Sequence, residues 1–210
     1  MHTAEDELEG IEGLHRIENT PKEEMQGLLA DLTHAVYPHD ELYGGYCAIQ
    51  SYIASPPEEV FEYMADVHHL EEWTYSLRHF RPSHLDGVYV GRDTLGSNTD
   101  IYCRVVANRE ALIVDYHCAW DQGEHLWMVY LNRIVPAQMV LNRPGSVVFW
   151  QNCRHPFYDD NPFEDKAPKG RPWVGNFWDL FYAGHTVELE NLKRILKFRQ
   201  ARRPLNATRA

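Results

Sequence analysis

Phe181, His185, Glu188, Leu192 and Ile195 follow one another at steps of four, three, four and three residues. That spacing places all five side chains on one face of an α-helix. An imidazole and a carboxylate therefore interrupt a stripe that should face a core. A buried polar group without a hydrogen bond costs about 2–7 kcal/mol, so the pair calls for each other, a polar partner, water or a metal. One chemistry that suits them is general base catalysis, with Glu188 tuning His185 to remove a proton next to a carbonyl. Tyr102, Arg104 or Tyr116 could then stabilise the enolate. A second is metal binding, with His117 or His155 joining His185 and Glu188 around Zn²⁺ or non-haem Fe²⁺. The spacing matches no established metal motif, so no cofactor is assigned and these four residues stay candidate ligands. The plainer alternative is a structural histidine satisfied within the core.

Other residues narrow the choice. Of the twelve histidines, His2, His15, His34 and His39 lie in a polar N-terminal extension and His68-His69 on an exposed turn. His79, His84, His117, His125, His155 and His185 are left in or near the main domain. Aromatic residues are dense in the second half, enough to line a pocket for a planar or aliphatic molecule. Tyr116, Trp120, Trp150, Phe177, Trp178, Phe181 and Tyr182 are the expected contacts for such a ligand.

Composition sets outer bounds. With 210 residues and 44% hydrophobic content, one core with appendages is expected. A net charge of −11 argues against a nucleic-acid partner. Acids concentrate in residues 1–24 and bases in 193–210, so the ends could attract each other or a second copy, as in a homodimer. No apolar run reaches the ~18 residues of a membrane span and the N-terminus does not resemble a signal peptide, so a cytoplasmic location is expected. Cys47, Cys103, Cys118 and Cys153 form no C-x-x-C pair and read as small buried hydrophobes.

These residues must be positioned by elements. Residues 1–45 form an acidic extension with one helix opening at Pro21. A strand starts near Tyr46. Ser55 is the expected N-cap of the next helix, with Pro56 at its first position and Glu58 completing a capping box. Asp66 can cap a second short helix that ends at Trp73. Strands follow near 77–82, 87–93, 98–107, 111–120, 125–135 and 145–153, with short turns that imply an antiparallel meander. A long loop, 154–172, could act as a lid. A helix from about Trp173 to Arg202 and a basic tail, 204–210, complete the chain.

The order strand, two helices, six strands and long helix resembles the START-like, or SRPBCC helix-grip, superfamily. Ile53-Ala54-Ser55-Pro56-Pro57-Glu58-Glu59-Val60-Phe61, with Ala65-Asp66, Leu70 and Glu72-Trp73-Thr74, is similar to the entry signature of its bacterial polyketide cyclase/dehydrase-like branch. The resemblance covers roughly residues 46–202. It implies an α+β fold in which a curved seven-stranded antiparallel sheet wraps the C-terminal helix, with Trp73 in the wall of an internal cavity. It also implies a small, largely apolar ligand, aromatic or polyketide-like. Cyclisation or dehydration, simple carriage or sensing of that ligand, and metal-dependent catalysis remain open functions within such a fold.

Overall fold

The computed structural model describes Glu24 and residues 45–93, 99–120, 125–165 and 178–202, the side chains of Asp179 and Leu180 excepted. All of these but Glu24 belong to the unit Gly45–Ala210. Apart from Glu24, which is helical, the expected helix from Pro21 lies outside the described residues, as do residues 1–20, Phe177 and the basic tail.

Alternation of residue types sets the inward face of each strand. In β1, Tyr46–Ile53, the side chains of Cys47, Ile49 and Ile53 are buried while Tyr46, Ala48 and Gln50 are exposed. The chain then turns into helix α1, Pro57–Ala65, whose Val60, Phe61 and Met64 enter the core. A single 3-10 turn, Val67–His69, leads directly into α2, Leu70–Trp73, and the Asp66 side chain accepts the His68 N–H as expected. The Ser55 cap and its capping box are not formed. Ser55 instead turns inward: its Oγ accepts from Gln200 Nε2 at 2.8 Å, and its carbonyl accepts from Ser146 Oγ at 2.6 Å.

Six strands follow: β2 (Leu77–Pro82), β3 (Tyr89–Asp93), β4 (Thr99–Asn108), β5 (Ile113–Trp120), β6 (Met128–Pro136) and β7 (Ser146–Cys153). They form one curved antiparallel sheet in the order β1-β7-β6-β5-β4-β3-β2. Only β1 leaves sequence order, crossing to pair with β7 so that Ile53 opposes Ser146. A short helix, α3 (Ala137–Leu141), fills the connection between β6 and β7, where a simple turn was expected. The following turn is tightly held. Tyr52 Oη donates to the Pro144 carbonyl at 2.8 Å, and the Arg143 guanidinium stacks 4.0 Å over the Tyr52 ring.

Helix α4, Trp178–Ala201, lies along β1 and against α2, with Leu189, Leu192 and Leu196 buried. No helix among the described residues is long and apolar enough to cross a membrane. Three side-chain ties fix α4 against the α1–α2 segment. Gln200 reaches Ser55, Asn191 Nδ2 donates to the Trp73 carbonyl at 3.2 Å, and Arg199 Nη2 reaches both Glu72 oxygens at 2.9 and 2.7 Å. Glu72 also accepts from the Tyr63 hydroxyl. Burial alone would raise the Glu72 carboxyl, but the bonds from Tyr63 and Arg199 and the Arg199 charge outweigh it and hold the group below its ordinary value. A depressed carboxylate stabilises the fold fully above the ordinary carboxylate range, near pH 4, and loses that contribution as pH falls through its lower folded value. Both partners are substantially exposed, so the pair contributes about 1 kcal/mol or less after screening. Glu72→Gln should therefore lower the urea midpoint slightly at pH 7 and bring it together with the wild type below pH 3. A constant gap across that range would assign the effect to packing.

Candidate functional site

A cavity of about 460 Å³ lies between the inner face of the sheet and the first turns of α4. Its walls come from four places, each set by local geometry. The α2 segment supplies Leu70 and Trp73. Ile101 comes from β4, and Tyr116, Cys118 and Trp120 from every second position of β5. Met128, Tyr130 and Trp150 come from β6 and β7. The helical spacing of α4 brings in Phe181, His185 and Glu188, as its periodicity implied. Tyr75 and Val187, both largely exposed, and Ala183 and Gly184 stand at the rim.

His185 and Glu188 make one unit in this wall, with side chains only 15% and 13% exposed. His185 Nδ1 lies 2.9 Å from Glu188 Oε2, and Glu188 Oε1 accepts the backbone N–H of Tyr75 at 3.1 Å. An ionised carboxylate can only accept, so Nδ1 is the donor in this pair and Nε2 is the ring nitrogen left for other chemistry. Nε2 is buried and has no hydrogen-bond partner. Aromatic rings fix the imidazole on three sides. Trp150 stacks on it at 4.5 Å, while Tyr130 and Phe181 meet it edge-on at 5.4 and 5.2 Å. The indole Nε1 atoms of Trp73 and Trp150 are likewise buried without a partner.

Other residues expected at the site take different places. Tyr102 and Arg104 are out of phase with Ile101 and Cys103 on β4, so they belong to the opposite face. Arg104 is exposed and donates to the Asp86 carbonyl at 3.3 Å. Tyr116 lines the cavity with its ring, but its hydroxyl donates to the Met64 carbonyl at 2.7 Å. Burial, with smaller repulsion from Cys103, Cys118 and Tyr63, pushes that phenol well above its usual value, and because its one proton is already given to Met64 it is not free to meet an enolate. Trp178 is buried outside the cavity lining, against Tyr158 and Phe181. Tyr182 falls on the flank of α4, where it lines a separate groove with Thr186.

The expected metal ligands do not converge. His117 is out of phase with Tyr116 and Cys118, and His155 packs against Trp127 and Phe157 with its Nδ1 accepting the Phe157 N–H at 3.1 Å. Among the described residues no three His, Cys, Asp or Glu side chains come together as a metal site. The described part of the 154–172 loop, up to residue 165, packs on the domain. It holds a 3-10 turn, Pro156–Tyr158, whose buried Tyr158 contacts Trp127, Trp178 and Phe181.

Several lining residues escaped sequence reasoning. Tyr130 opposes Tyr116 in the β5–β6 ladder, so the phase of β5 would have indicated it. Its phenol is pushed well above the usual range by burial, then by neighbouring Tyr158 and Cys118, and it hydrogen-bonds to Tyr158. Ser76 and the buried carboxylate Asp93 form a small polar stretch of wall near the rim. Asp93 sits at the end of a strand, opposite Leu77, and nothing in its local sequence marks it.

A curved antiparallel sheet, two short helices after its first strand and a long terminal helix closing a cavity define a helix-grip protein. Zhui, an aromatase/cyclase from Streptomyces sp. R1128, shares the fold at a TM-score of 0.51 and 14% identity, over 74% of this chain and 94% of that one. Residues 46–201 match the profile of a domain of unknown function, DUF8713, and the chain belongs to that family. XoxI from Bacillus cereus aligns at 12% identity over 74% of this chain and 97% of its own, with a TM-score of 0.49. TTHA0849 from Thermus thermophilus aligns at 14% identity over 73% and 98%, with a TM-score of 0.48. No curated protein matches the sequence.

Proposed function

We propose that this protein binds a small, largely apolar, aromatic or polyketide-like molecule in the cavity and catalyses its cyclisation and dehydration, with His185 as general base. The observation that carries this reading is the His185–Glu188 pair: one nitrogen held by a carboxylate, the other buried among aromatic rings without a partner. Nε2 takes a proton from the carbon between two carbonyls, and Glu188 and the stacked Trp150 face stabilise the resulting imidazolium. The enolate oxygen would give the Trp73 and Trp150 indole N–H groups a partner that the protein does not supply. The carbanionic carbon then attacks a second carbonyl of the same chain, and the new alkoxide recovers the proton from Nε2. Nε2 then removes the remaining hydrogen from the same carbon, a C=C bond forms in the closed ring, and the departing hydroxide takes that proton and leaves as water. Apolar walls would hold a flexible chain bent, and such orientation supplies much of the rate. The aromatase/cyclase that shares the fold is consistent with this chemistry, although at 14% identity the likeness concerns the fold.

Deuterium exchange tests the proton step without the natural substrate. Benzoylacetone, an aryl 1,3-diketone, should lose its central hydrogen to heavy water faster with the protein than in buffer, followed by proton NMR. Binding of the diketone with exchange at the buffer rate would make the protein a carrier or sensor instead.

A further inference from the structure

Cys103 and Cys118 face one another directly across β4 and β5. Both are buried, at 0% and 5% exposure, and both are free thiols. Directly opposed residues of an antiparallel pair have Cα atoms about 4.5–5.5 Å apart, inside the range of about 4.4–6.8 Å that a disulfide bridges. Cys118 also lines the cavity, between Tyr116 and Trp120, while Cys103 stands beside it in the core, on the neighbouring strand. Of the other two cysteines, Cys47 is on the edge strand β1 and Cys153 is exposed at the end of β7.

We propose that Cys103 and Cys118 form a reversible oxidation site, closed to a disulfide by a small hydroperoxide that enters the cavity, which changes the ligand-binding wall. The thiolate of Cys118 attacks one oxygen of hydrogen peroxide, giving a sulfenic acid, and the other oxygen leaves as water after taking up a proton. The Cys103 sulfur then attacks the sulfenic sulfur, forming the disulfide and releasing a second water, so two thiols are oxidised and one peroxide is reduced. A covalent bond in place of a thiol contact leaves the strands where they are but locks both side chains and turns the Cys118 sulfur from the cavity wall towards β4. Disulfides in reducing compartments are transient, which suits a switch better than a permanent staple. The Cys103 contact, together with burial, holds the Cys118 thiol well above its ordinary value. Reaction should accordingly be slow at pH 7 and accelerate as the solution is made more alkaline.

The site is independent of the role given to His185. It is tested by exposing the folded protein to hydrogen peroxide, alkylating remaining thiols under denaturing conditions and mapping peptides by mass spectrometry. A linked Cys103–Cys118 peptide should appear, lighter by two hydrogens than the reduced pair, with Cys47 and Cys153 still alkylated. Dithiothreitol should reverse it. Binding of 1-anilinonaphthalene-8-sulfonate, followed by fluorescence, should weaken about tenfold on oxidation, as expected when a packed wall is strained. In Cys103→Ser the probe affinity should not respond to peroxide. Mapping needs only the wild-type chain, so a misfolded variant would not obscure the answer. Oxidation confined to Cys153, or a linked peptide with unchanged probe affinity, would overturn the proposal.

Discussion

Replacing His185 by alanine should reduce the protein-catalysed exchange of the benzoylacetone central hydrogen by about 10²–10⁴-fold, the usual contribution of a positioned general base. Affinity for the diketone should change only a few-fold, because most of the cavity wall is apolar and unaffected. Loss of rate and loss of affinity separate here for a structural reason. The imidazole offers one unpartnered nitrogen, whereas Trp73, Trp120, Trp150 and Phe181 supply the contact area. Glu188→Gln gives a sharper variant. An amide has one oxygen for the two N–H groups that the carboxylate accepts and cannot stabilise the imidazolium, so the exchange rate should fall by more than any loss of affinity. If His185→Ala retains full exchange activity, His185 is a structural core residue and the proton chemistry belongs elsewhere.

Gly145→Ala should destabilise the fold by roughly 3 kcal/mol or more, read as a lowered midpoint in urea with an unchanged slope. The residue occupies φ +110°, a conformation that costs a side-chain-bearing residue about 1–3 kcal/mol. An added Cβ would also lie 2.6 Å from the Ile53 carbonyl oxygen and 2.9 Å from the Tyr52 ring. Neither neighbour can retreat. Ile53 is paired in β1, and Tyr52 is held by Pro144 and Arg143. The Gly145 carbonyl also accepts the Ala137 N–H at 2.8 Å, so moving the turn would disturb α3. Wild-type stability in Gly145→Ala would show that this turn relaxes freely.

The order of elements could be read because each border carries its own chemistry. Asp66 caps the turn before α2, turn-prone residues such as Asp86-Gly87, Asn108 and Pro144-Gly145 separate strands, and the 3.6-residue period of α4 carries His185 and Glu188 to the same side as Leu192. Strand phase was harder. On β4 and β5 both faces carry aromatic or ionisable residues, so Tyr102 and Arg104 were as eligible as Ile101 and Cys103 until neighbouring strands fixed the register. Long-range contacts were beyond local pattern. The Tyr116 hydroxyl is taken by Met64 and the Ser55 hydroxyl by Gln200, 52 and 145 residues away, and each removes a role that its own neighbourhood suggested. Helix α3 was missed because five residues are too few to show a helical period.

Gly184 stands at the cavity rim on the exposed side of α4, and a methyl group built there would touch nothing within 4 Å. A side chain could therefore be added there without displacing any neighbour. A bulky residue at this position would narrow the passage without reshaping the chamber behind it. Entry and departure of a molecule would slow together, and its equilibrium affinity would stay put. In this protein the question of which molecules fit can be separated from the question of how fast they come and go.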